Sequence, residues 1–230
     1  MTKNLLWSPK NNNNYLKKFQ KYLEKNKIFI NSDYKSLHKW SIKNKSKFWK
    51  EIWKFTKIKG ALKNPVIENE NDFINSIFFK NSKLNYAKNL LQNKNKKDAI
   101  IFYSEQGFNR RISWNELNIQ VSKIAYYFKQ KKIKKGDRIV SILPNIPETV
   151  VAFLGSAKIG AIWSSCSSDF GVKATVERFK QIKPKILIVS DYYFYNNKKI
   201  DTLKKVITIK NNLPTVKDII IIPYDNKYQK

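Results

Sequence analysis

The 230-residue sequence contains a single cysteine, a single histidine, one methionine and only six glycines. A lone Cys166 cannot close a disulfide within the chain. With Cys166 and His38 as the only thiol and imidazole, neither a Cys/His zinc set nor a histidine-based catalytic triad can be assembled from these residues. No glycine-rich phosphate cradle occurs, either as GxGxxG or as GxxxxGK[ST]. No apolar run approaches the roughly eighteen residues that a membrane-spanning helix needs. The opening MTKNLLWSPKNNNN lacks the apolar stretch of a signal peptide. These absences together favour a cytoplasmic protein. Arginine is scarce as well: Arg110, Arg111, Arg138 and Arg178 are the only four, so 42 of the 46 basic residues are lysine.

Against 17 acidic residues, that lysine content gives a formal net charge of +29. A nucleic-acid binder is one reading, since clustered cations displace counterions from phosphate. Yet phosphate and base-edge recognition leans on the arginine fork, and here lysine is spread along the chain among Asn and Ile rather than gathered in a stripe. The charge is therefore read as a solvated surface that meets nucleic acid only non-specifically.

What is present points to an α/β core, because 42% of the residues are hydrophobic and they fall in ordered segments. Ile139 to Leu143 is an apolar run between Gly136-Asp137 and Pro144, which suits a buried strand. Pro147 stands where the first turn of a helix tolerates a missing N–H. Val150, Val151, Phe153, Leu154 and Ala157 then recur at helical spacing until Gly160. Ala161 to Ser164 reads as a second strand, Thr175 to Ile182 as a second helix stopped by Pro184, and Ile186 to Val189 as a strand covered on both faces. Strand–helix–strand–helix–strand predicts parallel pairing through right-handed crossovers.

Upstream, Tyr15, Phe19, Tyr22 and Leu23 form one apolar helical face, and a single second helix is expected to carry Trp40, Phe48, Ile52, Trp53 and Phe55, capped by Ser46. Asn64 to Asp72 reads as a loop. Ala99 to Tyr103 and Arg110 to Ser113 read as strands about a turn at Gln106-Gly107. Ser113 to Glu116 is a capping box opening an amphipathic helix. Downstream, Asp191 to Asp201 reads as irregular, followed by a helix over 201–210 and a last strand, Asp218 to Ile222.

Several segments then resemble one family: Leu6-Trp7-Ser8-Pro9, Leu37-His38-Lys39-Trp40-Ser41, Leu84-Asn85-Tyr86-Ala87, Leu143-Pro144-Asn145-Ile146-Pro147-Glu148 and, most specifically, Gly160 to Gly171 (GAIWSSCSSDFG). They resemble the N-terminal part of the acetoacetate–CoA ligases, in the acyl-adenylate-forming superfamily that includes acetyl-CoA synthetase. The resemblance implies residues 1–91 as the family's N-terminal segment and 92–230 as the first part of an AMP-binding domain. It also implies a ligase that uses ATP, CoA and Mg²⁺ to activate acetoacetate as an adenylate and pass it to CoA. The family's phosphate loop and lid motifs have no match here, so the resemblance implies an N-terminal portion, inactive alone and completed by a downstream polypeptide. A non-catalytic folded remnant is the alternative.

Site residues follow from the same resemblance. The family's CoA-contacting run corresponds to Tyr195, Asn196, Asn197 and Lys198, where Lys198 is either a phosphate's point charge or a solvated loop lysine. Trp163, Asp169 and Phe170 either shape the substrate side of the sheet or pack a strand-to-helix connection. No catalytic residue and no metal ligand is assigned. Cys166 reads as a small buried residue rather than a nucleophile.

Overall fold

The computed structural model describes residues 14–29, 31 and 33–225; the Leu6–Pro9 segment of the resemblance lies outside them. The chain divides into two compact units, Met1–Leu84 and Asn85–Lys230.

In the first unit, helices α1 (Tyr15–Lys25), α2 (Tyr34–Lys43) and α3 (Lys45–Phe55) enclose an aromatic cluster. Phe19, Leu23 and Leu37 are buried, with Tyr22, Trp40, Phe48, Ile52 and Phe55 packed round them. Tyr15 does not join this face; it is 80% exposed. The single helix expected over Trp40–Phe55 is two, because Asn44 leaves helical geometry at φ −125°, ψ 50°. Ser46 is therefore not the cap. It lies inside α3, where its N–H and hydroxyl donate to the Glu70 carboxylate at 3.2 and 2.9 Å. Glu51 is buried between Tyr22, whose hydroxyl donates at 2.7 Å, and Lys54 at 2.8 Å. Two two-stranded ribbons follow. Strand β1 (Gly60–Ala61) pairs with β4 (Lys83–Leu84), and β2 (Ile67–Glu68) with β3 (Ile77–Phe78). The expected loop over Asn64–Asp72 thus contributes a strand, β2, which pairs with β3 beyond the polar turn.

The second unit begins with α4 (Tyr86–Leu90) and an antiparallel hairpin, β5 (Asp98–Tyr103) with β6 (Asn109–Ser113). Its turn takes Gly107 at φ +73°, a backbone region that a side chain would strain. Helix α5 (Trp114–Gln130) opens on the expected capping box, Ser113 and Glu116 each bonding the other's backbone. Then come β7 (Arg138–Ile142), α6 (Pro147–Ile159), β8 (Ile162–Cys166), α7 (Val172–Lys180), β9 (Ile186–Ser190), the hairpin β10 (Tyr192–Tyr195) and β11 (Lys198–Asp201), α8 (Leu203–Asn211) and β12 (Asp218–Ile222).

Strands β12, β9, β7 and β8 form one sheet in that order, all parallel. Its alternating side chains explain the continuous apolar runs. Ile139, Ile186 and Ile188 point to one face, against Phe128 of α5 and Ala152 of α6. Val140, Ile142, Leu187 and Val189 point to the other, against Phe179 of α7 and Val206 and Ile209 of α8. Burying each such side chain contributes about 1.5–3 kcal/mol, which fixes the register that places the strand ends. Helices α5 and α6 meet closely at Gly155, where an added Cβ would stand 2.3 Å from Ile124 Cγ2. Gly160 ends α6 at φ +78°.

The irregular stretch expected over Asp191–Asp201 is instead a hairpin. Its two-residue turn, Asn196 and Asn197, takes φ of +49° and +59°, as a two-residue turn between twisted strands demands, and asparagine tolerates it.

Candidate functional site

In an open parallel sheet, ligands bind beyond the carboxyl ends of the strands. Here those ends lead into the loop Ser167–Gly171 after β8 and the hairpin after β9. The loop is tied down by Lys205 of α8, whose Nζ donates to the Ser168 and Phe170 carbonyls at 2.5 and 2.9 Å. Burial pushes the Lys205 ammonium's pKa down, and the charge of Asp169 acts in the opposite sense. Asp169 itself is exposed; a hydrogen bond from Ser167 and one from its own backbone hold its carboxyl below the usual range, with Lys205 adding to this. The Phe170 ring carries the Arg178 guanidinium 4.6 Å from its centroid. Asp191, at the exit of β9, accepts from the backbone N–H of Tyr192 and of Tyr224 at 2.8 and 2.9 Å, fixing where the hairpin starts.

Strand pairing then sorts the hairpin's side chains. Tyr193 lies opposite Ile200 and Tyr195 opposite Lys198, on one face; Tyr192 lies opposite Asp201 and Phe194 opposite Lys199, on the other. The first face is the one the Asp169 charge reaches: burial and then Asp169 raise the Tyr193 phenol above its ordinary pKa. Tyr195 and Lys198 share a hairpin face with Tyr193, while Asp169 and Phe170 lie in the loop that Lys205 holds; Tyr193 and Lys205 are two residues the sequence reading missed. Asn196 and Asn197 supply turn geometry, and the Asn197 N–H already donates to Glu105 Oε2 at 3.0 Å. That amide is therefore taken, with a carboxylate beside it, and Lys198 is the cation on this face of the hairpin.

Trp163 is not brought to this group. It sits early in β8, in register with Ile139, and packs with Phe153 at 6.2 Å between ring centroids. Cys166 is buried, as expected, and burial pushes its thiol's pKa up. His38 is exposed on α2, stacked on Tyr34 at 6.1 Å. Among the described residues no three of His, Cys, Asp and Glu converge to hold a metal ion. Among the described residues, the hydroxyls of Ser141, Ser168, Ser190 and Thr202 are buried without a hydrogen-bond partner.

Three comparisons bear on this geometry. The family model described as AMP-binding enzyme matches residues 88–230. The acetoacetyl-coenzyme A synthetase of Rhizobium meliloti (strain 1021) is 38% identical over 195 residues, 84% of this chain and 29% of that protein. The acetoacetyl-CoA synthetase of Danio rerio is 32% identical across 100% of this chain and 35% of its own length. Among solved structures, acetoacetyl-CoA synthetase from Streptomyces lividans superposes with a TM-score of 0.83 at 29% identity, covering 90% of this chain and 33% of that one. The chain spans about a third of the length of the relatives it matches.

Proposed function

The chain belongs to the AMP-binding enzyme family, and from that premise we propose that it forms the first strands and the thiol-nucleotide face of an ATP-dependent, AMP-forming acid–thiol ligase acting on acetoacetate. In such a ligase the carboxylate attacks the α-phosphorus of ATP, releasing pyrophosphate and giving acetoacetyl-AMP. The CoA thiol then takes the acyl group and AMP leaves. The likeness to proteins named acetoacetyl-CoA synthetase supports the choice of acid. Mg²⁺, which the family implies, finds no three-ligand group among the described residues, so no step is assigned to it.

The observation that carries the reading is the placement of Lys198 and Tyr195 on the hairpin face that Asp169 reaches, beyond the carboxyl end of a parallel sheet. Lys198 serves the CoA nucleotide as a point charge, since its ammonium has no planar fork. The Phe170 ring and the Lys205-clamped carbonyls set the shape of the loop beside it. The phosphate chemistry of the first step falls to groups other than these 230 residues, which contain no glycine-rich phosphate loop.

Two measurements test this. Titrating the chain with CoA should show saturable binding that Lys198→Gln weakens about tenfold, the low end of what one charge-assisted hydrogen bond contributes. Unchanged affinity in Lys198→Gln would remove the site. ATP–pyrophosphate exchange with acetoacetate should be absent from these 230 residues by themselves, and its presence would show that they handle phosphate after all.

A further inference from the structure

Between Lys63 and Lys80 this lysine-rich chain carries no cation. Residues 64–79, which contain β2, β3 and the turn that joins them, hold Glu68, Glu70 and Asp72 and no lysine or arginine. The turn is firmly built. Asp72 accepts from the Ile74 and Asn75 N–H groups at 3.2 Å each and from the Asn75 amide at 2.7 Å, and the Ser76 hydroxyl donates to the Asp72 carbonyl at 2.7 Å. Glu70 fastens it to the start of α3 through Lys45 and Ser46. With these polar groups turned on one another, the turn presents Phe73, 97% exposed, and Ile74, 88% exposed, to solvent. Ile42 of α2, Phe48 and Trp49 of α3, Ile67 of β2 and Phe78 of β3 line a groove of about 380 Å³, which Phe73 borders.

A single exposed apolar side chain needs no explanation. Two adjoining ones, on a turn held in one shape beside an apolar groove, form a contact whose ordering cost is already met. A dry apolar cavity of about 150 Å³ accepts a benzene ring, so the groove has room for a ring and an aliphatic side chain together. Charge selects the occupant. On α2, Lys35, Lys39 and Lys43 recur at every fourth residue and are exposed, Lys43 standing next to Ile42 of the groove. The acidic turn is therefore complementary to the basic helix that lines the groove. In a chain of net charge +29, two copies repel one another except where such opposite charges meet. An anionic lipid surface would instead face Glu68, Glu70 and Asp72. Because the turn and the groove adjoin, a two-fold axis sets each copy's Phe73 against the other's groove and closes the contact. We propose that this face of the first unit is a self-association surface on which a second copy of the chain docks, Phe73 and Ile74 of each entering the groove of the other.

The 230-residue chain is sedimented to equilibrium at about 1 to 200 μM, a span that brackets the micromolar affinity of the weaker protein interfaces. It should pass from monomer to dimer and no further. Phe73→Ala removes a side chain that lies outside any core, and should weaken association at least about tenfold, because the truncated anchor counts twice across the axis. Ile42→Arg, which sets a guanidinium in the groove, should weaken it alike. The decisive sample is an equimolar mixture of the two variants. A mixed pair keeps one intact Phe73 facing one intact groove, so it should form at least about tenfold more tightly than either variant's own dimer. A variant that had merely unfolded would not be rescued in this way. Monomer at every concentration, a dimer untouched by Phe73→Ala, a mixture no tighter than its parts, or assemblies that grow without closing at two would each overturn the proposal. Capture of a monomer by phosphatidylserine vesicles, lost in Phe73→Ala, would overturn it too and give this face to a lipid surface. CoA takes no part in these measurements, so their failure and failure of the proposed ligase face are told apart.

Discussion

Replacing Lys205 by methionine keeps the length and apolar stem of the side chain and removes both hydrogen bonds that hold the Ser167–Gly171 loop. Hydrogen bonds to a charged group contribute about 1.5–3 kcal/mol each, so a naive sum for two would be several kcal/mol. Two opposing effects reduce it. The half-buried ammonium's desolvation, which already depresses its pKa, is relieved by the substitution. The freed carbonyls flank exposed Asp169 and can be rehydrated. A net loss of about 2 kcal/mol, confined to the loop, is expected. By hydrogen exchange read peptide by peptide, that is roughly thirtyfold faster exchange across residues 167–175, with β7 and β9 unchanged. Lys205→Arg should restore part of the protection, since a guanidinium can still reach carbonyl acceptors. Unaltered loop exchange in Lys205→Met, or an equal rise throughout the sheet, would show that Lys205 is a surface lysine or a global core element rather than a clamp.

Two further outcomes follow from the same coordinates. Gly155→Ala places a methyl 2.3 Å from Ile124 Cγ2 and should cost about 1–3 kcal/mol in denaturant unfolding, most of it recovered in the Gly155→Ala/Ile124→Ala double variant; additive losses would refute the close approach of α5 and α6. Burial, and then the Glu51 carboxylate, raise Tyr22 from 10.0 to about 12, so its contribution to stability is intact below about pH 10 and is lost as pH rises through about 12; the urea midpoint of Tyr22→Phe should lack that decline, and a parallel decline would exclude Tyr22 as its source.

The sheet was legible because its signals are redundant. Ile186–Val189 is apolar without alternation, which only a strand covered on both faces requires, and Pro147 and Gly160 mark the ends of α6 independently of its apolar pattern. The first unit was less legible for a compositional reason. Asn and Lys fill so many positions that Asn44, which breaks the helix between Trp40 and Phe48, looks like its neighbours. Its break is a matter of tertiary fit, Phe48 being turned back onto the Phe19 cluster, and helical propensity says little about that.

The hairpin is the element that sequence reasoning missed, and the reason is geometric. Tyr192 to Tyr195 is aromatic at every position, so the period-two alternation that announces a strand is absent. Yet each face has its own surroundings: Tyr193 lies within reach of Asp169, and Tyr192 and Phe194 pack against Tyr224. The available cue was the Asn-Asn pair between aromatic and lysine runs, a two-residue turn signal. Strand geometry sends the adjacent Lys198 and Lys199 to opposite faces. A cation's placement here is set by parity along β11 rather than by proximity in sequence, and Lys205, one lysine among 42, acquires meaning only from the two carbonyls it holds.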